Sequence, residues 1–363
     1  MIRRSVFLFA FISAAFCAQP PQASPTPEAS ATPSPSPAPL STRQVINNLK
    51  DAEVEAAIKF LRENFLDPDK TDDKALQRAT LEGLLQRLSP GASVVSNPEK
   101  KIPNEGPPFL AEILDSHIAY LRLGSLTRDG LTQFDAALTG FAQKKIDAVI
   151  LDLRGMPEGG DFEIAADFAR RFCPKGKLLF SIQKPSAKQE RIFTSNQDPV
   201  FNGVIVVLTD AGTSGPAEAL AGALRLNAAA MILGADTTGE AVEFAESPLG
   251  SGAVLRVAIA QVILPETGAI FPEGVNPDVT ISLPREVQAE IFRQSKEKGV
   301  SQFVFEPERL RMNEASLVAN LNPEIDTART AQRDRGKAPP LRDTVLQRAV
   351  DLVTAITFYR ARK

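Results

Sequence analysis

Val204-Ile-Val-Val-Leu208, followed by Asp210-Ala-Gly-Thr-Ser-Gly-Pro-Ala-Glu218, is the stretch that decides the fold. The first segment is an uninterrupted apolar run dominated by β-branched residues, the pattern of a strand buried on both faces. A Gly-rich turn ends it, and Pro216 opens a helical pattern over Ala217 to Leu226. Proline favours the first helical position, so Gly215 falls at the N-cap and Glu218 at N3. A side chain at such a cap sits among free backbone N–H groups at the positive end of the helix dipole, where a nucleophile's pKa is lowered and an oxyanion can be held. Gly215 has no side chain to put there.

Working outward from this turn, strands and helices alternate, which predicts an α/β layered domain. Ile118 to Leu123, Ala148 to Leu153, Leu178 to Ile182 and Ala230 to Leu233 read as strands, and Val254 to Leu264 forms a hairpin with Ile270 returning. Leu131 to Gln143 and Phe162 to Phe172 read as helices. A terminal helix carries Val345, Leu346, Ala349, Val350, Leu352, Val353 and Ile356, whereas Ser295 to Pro340 is charged and weakly periodic.

The amino-terminal part has a different character. Arg3 and Arg4, the apolar Val6 to Phe16 and a small-residue zone near Cys17 to Gln19 have the order of a secretory signal, so residues 1–18 are read as a signal peptide. The expected location is periplasmic or extracellular; an uncleaved leader or a lipidated Cys17 would tether the chain to a membrane. Residues 19–40, rich in Pro, Ser and Ala, read as a disordered linker. Ser41-x-x-Gln44 is a capping-box pattern, and Val45, Ile46, Leu49, Val54, Ile58, Leu61 and Phe65 follow at helical spacing. A second helix spans about Lys74 to Leu88, and Pro90 ends it. The expected organisation is a helical region over 41–95, a core over 109–290 and a partly irregular helical extension over 291–363.

Composition narrows the chemistry. Lys+Arg 41 against Asp+Glu 44 gives a net charge of −3, with no basic block suited to nucleic acid. One histidine, His117, leaves no histidine-based metal site and no two-histidine acid–base pair, so no metal or cofactor is expected. Cys173 has no partner once the leader's Cys17 is set aside and reads as a buried structural thiol.

Four blocks in order resemble the tail-specific, or C-terminal-processing, serine peptidase family. They are Ala148-Val-Ile-Leu-Asp-Leu-Arg154 with Gly159-Gly160; Gly212-Thr-Ser-Gly-Pro-Ala-Glu-Ala-Leu-Ala-Gly-Ala-Leu224; Ile232-Leu-Gly-Ala-Asp-Thr-Thr-Gly239; and Leu264-Pro-Glu-Thr-Gly268 with Gly274-Val-Asn-Pro-Asp-Val279. The resemblance implies a layered β/α core of the tail-specific protease (ClpP/crotonase-like) type with an N-terminal helical region. It also implies a serine and a neutral lysine as the catalytic pair. In this sequence the serine position is Gly215 and the lysine position is Glu240, so no catalytic residue is expected.

The implied binding residues are Gly159, Gly160, Ser214, Gly215, Glu218 and Glu240, with the Gly159-Gly160 turn lining the oxyanion site. That turn, Arg154-Gly-Met-Pro-Glu-Gly-Gly160, has one residue more than the family's pattern. Two routes to chemistry stand as alternatives: Ser214 as a displaced nucleophile in a diverged serine endopeptidase, and Glu218 with Glu240 as paired carboxylates activating water. The family's PDZ domain has no room between Ser89 and Leu114, since roughly 25 residues are far below domain size. The expected protein is exported and inactive, a peptide-binding or scaffolding module whose partners are a peptide or unfolded protein, a second copy, or an active relative.

Overall fold

The computed structural model describes residues 42–96, 106–115, 117–250, 252–305 and 341–361. The expected signal peptide, the linker, the lipidated Cys17 and most of the charged region before residue 341 lie outside them. The described residues divide into two compact units, with the boundary between Gln77 and Arg78.

In the first unit, α1 (Thr42–Asn47) and α2 (Asp51–Asn64) replace the single helix expected from the spacing of Val45 to Phe65. The break at Asn48–Lys50 has a local cause. Lys50 is extended, with φ −75 and ψ 156, and its backbone N–H donates to the Glu53 carboxylate at 2.7 Å, a helix start that the apolar spacing does not reveal. Helix α3 (Asp73–Leu88) follows the prediction closely.

The second unit is built on two sheets. One is a six-stranded sheet in the order β12 (Val279–Thr280), β8 (Met231–Gly234), β7 (Val204–Thr209), β4 (Ala148–Asp152), β3 (Ile118–Arg122), β2 (Leu110–Leu114), parallel throughout except for the antiparallel β2–β3 pair. Its central strands are buried on both faces, which is why they read as continuous apolar runs. Val149, Leu151, Ile205 and Val207 face a core shared with α4 (Arg128–Ala142), α5 (Phe162–Arg170) and α6 (Pro216–Ala228). Ala148, Ile150, Val204, Val206 and Leu208 face the opposite way, beneath α8 (Ser301–Val304) and the terminal helix α9 (Thr344–Ala361).

The other sheet is antiparallel: β1 (Ala92–Ser96), β10 (Ala253–Leu264), β5 (Leu178–Lys184) and β6 (Gln189–Thr194), with β9 (Val242–Pro248) and β11 (Gly268–Ala269) also paired to β10. Helix α6 touches β5 and β10 of this sheet and β8 of the other, so it lies between the two sheets. Strand β1 falls inside the stretch expected to be helical, and its pairing with β10 extends the core's secondary structure to Ala92. Helix α7 (Arg285–Lys298) precedes α8 and buries Gln288, Ile291, Phe292 and Ser295.

Candidate functional site

The site forms where β7 runs into α6. Asp210 organises the turn: its carboxylate accepts from the backbone N–H of Gly212 at 3.0 Å and of Gly155 at 2.9 Å, and from Gln288 Nε2 at 2.7 Å. The turn, the loop after β4 and helix α7 are thereby fastened at one carboxylate. Gly215 is the N-cap of α6, as the Pro216 rule predicts, with φ 56 and ψ −120. A side chain is strained at that φ whatever the space around it. Space itself is open: an added Cβ would meet the Glu240 backbone oxygen at 3.7 Å as its nearest neighbour. The positions matched to the family's serine and lysine therefore lie side by side.

Glu218, at N3, is fully buried. Its carboxylate accepts from Gly215 N at 2.9 Å, Gly239 N at 2.7 Å, the Thr237 hydroxyl and the backbone N–H of Glu240. Burial pushes its pKa up, and these four donors pull against that rise. Every donor is part of the α6 cap or the 237–240 loop, so the carboxylate holds backbone together. Its lone pairs are spent there, and the paired-carboxylate route to water activation loses its base. The Glu240 side chain is half-buried, and no hydrogen bond or ion pair engages its carboxylate among the described residues.

Ser214 is buried, and its hydroxyl has no hydrogen-bond partner among the described residues. No base is poised on it, so the structure gives the displaced-nucleophile alternative no activating group. Thr213, which precedes it, accepts at its carbonyl from Thr238 N at 3.0 Å and from the Thr238 hydroxyl at 3.1 Å, docking the 237–240 loop on the turn.

Gly159 and Gly160 are exposed at the loop after β4, with φ 87 and 122. A Cβ on Gly160 would reach Pro216 Cγ at 3.5 Å, so this loop closes on the start of α6. The structure thus brings four of the six predicted binding residues, Ser214, Gly215, Glu218 and Glu240, to one turn-and-loop cluster around the α6 N-terminus and places Gly160 against it, with Gly159 next to Gly160 in the same loop.

Beside this cluster lies an open cleft of about 1360 Å³ at the C-terminal ends of β3, β4 and β7, lined by Leu123, Met156, Asp210, Gly212, Arg285 and Phe292 among others. Ligands of open α/β sheets bind at this end of the strands. None of the six predicted residues lines the cleft; Glu158 and Gly212, close neighbours in sequence, connect it to them. Sequence reasoning missed both Asp210 as the organiser and α7 as a wall. The only available signal for Asp210 was its place directly after the apolar strand, at the start of the Gly-rich turn.

His117 lies at the start of β3 with Nδ1 2.5 Å from the Asp115 carbonyl oxygen, and burial pushes the Cys173 thiol up to about 12, which leaves it inert. Among the described residues no cluster of His, Cys, Asp and Glu is arranged to hold a metal ion, and no helix is long and apolar enough to cross a membrane.

A sheet-and-helix core with a nucleophile-type turn between a buried strand and α6 defines a protease-fold protein. Residues 117–281 match the model of Peptidase family S41. The carboxyl-terminal-processing protease of Synechocystis sp. is 29% identical over 188 residues, 51% of this chain and 43% of that protein. The Bacillus subtilis carboxy-terminal processing protease CtpA is 25% identical over 174 residues, 48% of this chain and 37% of that protein. A solved structure, the photosystem II D1 C-terminal processing protease, aligns with a TM-score of 0.41 at 23% identity, covering 58% of this chain and 53% of that one. The matched segment spans less than half the length of those two protein relatives. Residues 117–281, somewhat under half of the chain, thus resemble the tail-specific proteases of peptidase family S41.

Proposed function

We propose that this chain is an exported, catalytically inert member of the family that binds extended peptide or unfolded protein, or scaffolds a protein partner. The carrying observation is the pair Gly215 and Glu240, adjacent at the α6 cap, where the family resemblance calls for a serine and a lysine. Acyl transfer through a covalent intermediate needs a nucleophile, and glycine supplies none. A carboxylate in the lysine's place carries the opposite charge and cannot act as a neutral amine base. What remains is a rigid turn, a glycine loop whose backbone is exposed, and a large cleft at the sheet's C-terminal edge. Those features suit main-chain recognition of an extended segment. Partners consistent with this reading are a peptide, a second copy or an active relative; the charge balance does not suit nucleic acid.

The test exposes the purified chain to a serine-reactive fluorophosphonate and to an unfolded protein substrate. The expected result is neither labelling nor cleavage, together with saturable binding of the unfolded substrate. Labelling that vanishes in Ser214→Ala would overturn the inert reading and establish a Ser214 peptidase.

A further inference from the structure

Helix α7 turns a cationic stripe toward the cleft. Arg285, Ala289, Phe292 and Lys296 recur at i, i+4, i+7 and i+11, one face of the helix, and all four line the cavity. Arg285 and Lys296 stand at the two ends of that stripe, and both are exposed. No hydrogen bond or ion pair engages either of them among the described residues. Arg293 also lines the cleft but is committed elsewhere, its Nε donating to Glu290 at 2.9 Å. Between the two free cations the wall is apolar, formed by Ala289 and Phe292, and Leu123 and Met156 line the same cleft.

Helix stability does not account for Arg285. It is the first residue of α7, where a cation opposes the positive end of the helix dipole. Its Nη2 lies 3.4 Å from the point where a Cβ on Gly212 would stand, beside the turn that leads to Gly215. Asp210 does not claim it: that carboxylate accepts from Gly212 N, Gly155 N, Gln288 Nε2 and the Thr213 hydroxyl. The other acids of the cleft have local reasons to be there. Asp129 sits in the first turn of α4, where the dipole favours it, and Glu158 has a partner of its own. The unspent positive charge of the cleft therefore lies on the α7 wall.

The spacing of that charge measures a ligand. Arg285 and Lys296 are eleven helical positions apart, about 16 Å along the axis. An extended peptide advances about 3.3 Å per residue with alternate side chains on one side, so acidic residues four apart face the same way about 13 Å from each other. The flexible Arg and Lys stems span the remaining roughly 3 Å, and a guanidinium takes a carboxylate through two N–H groups at once. We propose that the α7 wall selects extended peptides carrying two carboxylates about four residues apart, one held by Arg285 and the other by Lys296, with the residues between them lying over Ala289 and Phe292. This rests on the peptide-binding reading above and is independent of whether the Gly215 site is inert.

Fluorescence anisotropy on the purified chain with labelled, acetylated and amidated nonapeptides tests it. A peptide with glutamates four residues apart is expected to bind about tenfold more tightly than its glutamine counterpart, and severalfold more tightly than one with the two glutamates adjacent. Arg285→Gln and Lys296→Gln should each remove most of that gain, whereas Lys298→Gln, on the same helix but outside the cleft, should leave it intact. Arg285→Glu should shift the preference to a peptide in which lysine replaces one glutamate. All four substitutions alter exposed positions, so folding does not confound them. A free-acid peptide with one glutamate four residues before its end identifies the source of the carboxylates: affinity equal to the two-glutamate peptide admits a chain terminus, weaker binding restricts the site to side chains, and both results uphold it. Equal affinity for the glutamate and glutamine peptides, with unfolded protein still bound, overturns this proposal alone. A gain lost equally in Lys298→Gln reports bulk charge and overturns it too. Binding of neither peptide nor unfolded protein overturns the peptide-binding reading along with it.

Discussion

Replacing Asp343 by alanine should cost this fold more than any surface change of the same size. Asp343 caps α9, accepting from Leu346 N at 2.9 Å, and pairs with Arg154 through two hydrogen bonds of 3.0 and 2.8 Å. Arg154 in turn grips Asp152 at 2.8 and 2.6 Å, and Asp152 accepts from the Tyr120 hydroxyl at 2.7 Å. Arg122 and Arg154 both lie against the Phe292 ring, with guanidinium carbons 4.6 and 5.5 Å from its centroid. Two carboxylates and two guanidiniums thus balance in a region closed to solvent. Removing one carboxylate leaves a buried positive charge uncompensated, which costs about 3–5 kcal/mol, and the lost cap adds up to about 1 kcal/mol.

Taking about 4 kcal/mol together, and about 2–4 °C per kcal/mol for a large domain, the melting temperature of Asp343→Ala should fall by roughly 8–16 °C. Asp343→Asn keeps the cap but also removes the charge, so it should lose less than Asp343→Ala only by the cap's share, up to about 1 kcal/mol. The chain has no Trp and two Tyr, so near-ultraviolet tyrosine circular dichroism follows the neighbourhood of Tyr120 during the melt. A loss below about 1 kcal/mol for Asp343→Ala would refute the claim that this array fastens α9 to the sheet.

The same residue sets an acid limb. Burial alone would raise the Asp343 pKa, but the Arg154 charge, its hydrogen bonds and the N–H groups of Leu346 and Val345 outweigh burial and hold it below the usual carboxylate value. A depressed folded pKa contributes stability that is fully present above the unfolded value, about 3.9, and is lost as pH falls through the folded one. Stability measured downward from pH 5 should therefore decline less steeply in Asp343→Asn than in the wild type.

Three further outcomes follow from the site and its support. Gly215→Ser with Glu240→Lys should react with a fluorophosphonate while neither single variant does, because the Cβ direction at 215 is open toward residue 240; a silent double variant would remove residue 240 from the amine position. Glu218→Gln turns an acceptor toward donors, and hydrogen exchange at the Gly215 and Gly239 amides should speed up, with a stability loss of about 1–3 kcal/mol; unchanged exchange would show that the carboxylate does not hold the loop. Gly222→Ala, which would gain up to about 1 kcal/mol in a free helix, should instead destabilise by about 1–3 kcal/mol, since its Cβ would meet Leu264 Cδ1 at 2.6 Å; trimming the obstacle in Leu264→Ala should make the glycine substitution tolerated.

The legible part of this fold is the part buried on both sides. Strands β3, β4, β7 and β8 show as apolar runs because the parallel sheet hides both of their faces, and the α6 cap shows because Pro216 fixes its register. The antiparallel strands are harder. In β6 only Phe193 is buried, and β9 carries Glu243 and Glu246 on a largely exposed strand, so neither displays an alternation to read. Strands β1 and β2 are short and lie at the edges of their sheets, partly exposed, so no apolar pattern marks them. Helix α7 is highly charged and contributes only a narrow face, including the polar Gln288 and Ser295. For the site, residue identities sufficed to place Gly215 and Glu218 but not their supports. Arg154 and Asp343 are 189 positions apart, and only the folded chain pairs them.

Glycine at 215, where the family resemblance calls for serine, also sets the energetics of the turn. At φ 56 and ψ −120 any residue with a Cβ carries strain, on the order of 1–3 kcal/mol, held in place by the surrounding structure. Here that surrounding structure is intact: Asp210 pins one side of the turn, Glu218 the other, and both do so through backbone N–H groups that make no use of a nucleophile. Glycine adopts the same dihedral at no steric cost. On the proposed reading, then, losing the nucleophile and relaxing the turn are one and the same substitution, and it leaves the binding surface in place. Gly215→Ser alone is the direct measure of this trade: it should lower the melting temperature by several degrees without moving the 237–240 loop, and a variant as stable as the wild type would show that the turn stores no strain at all.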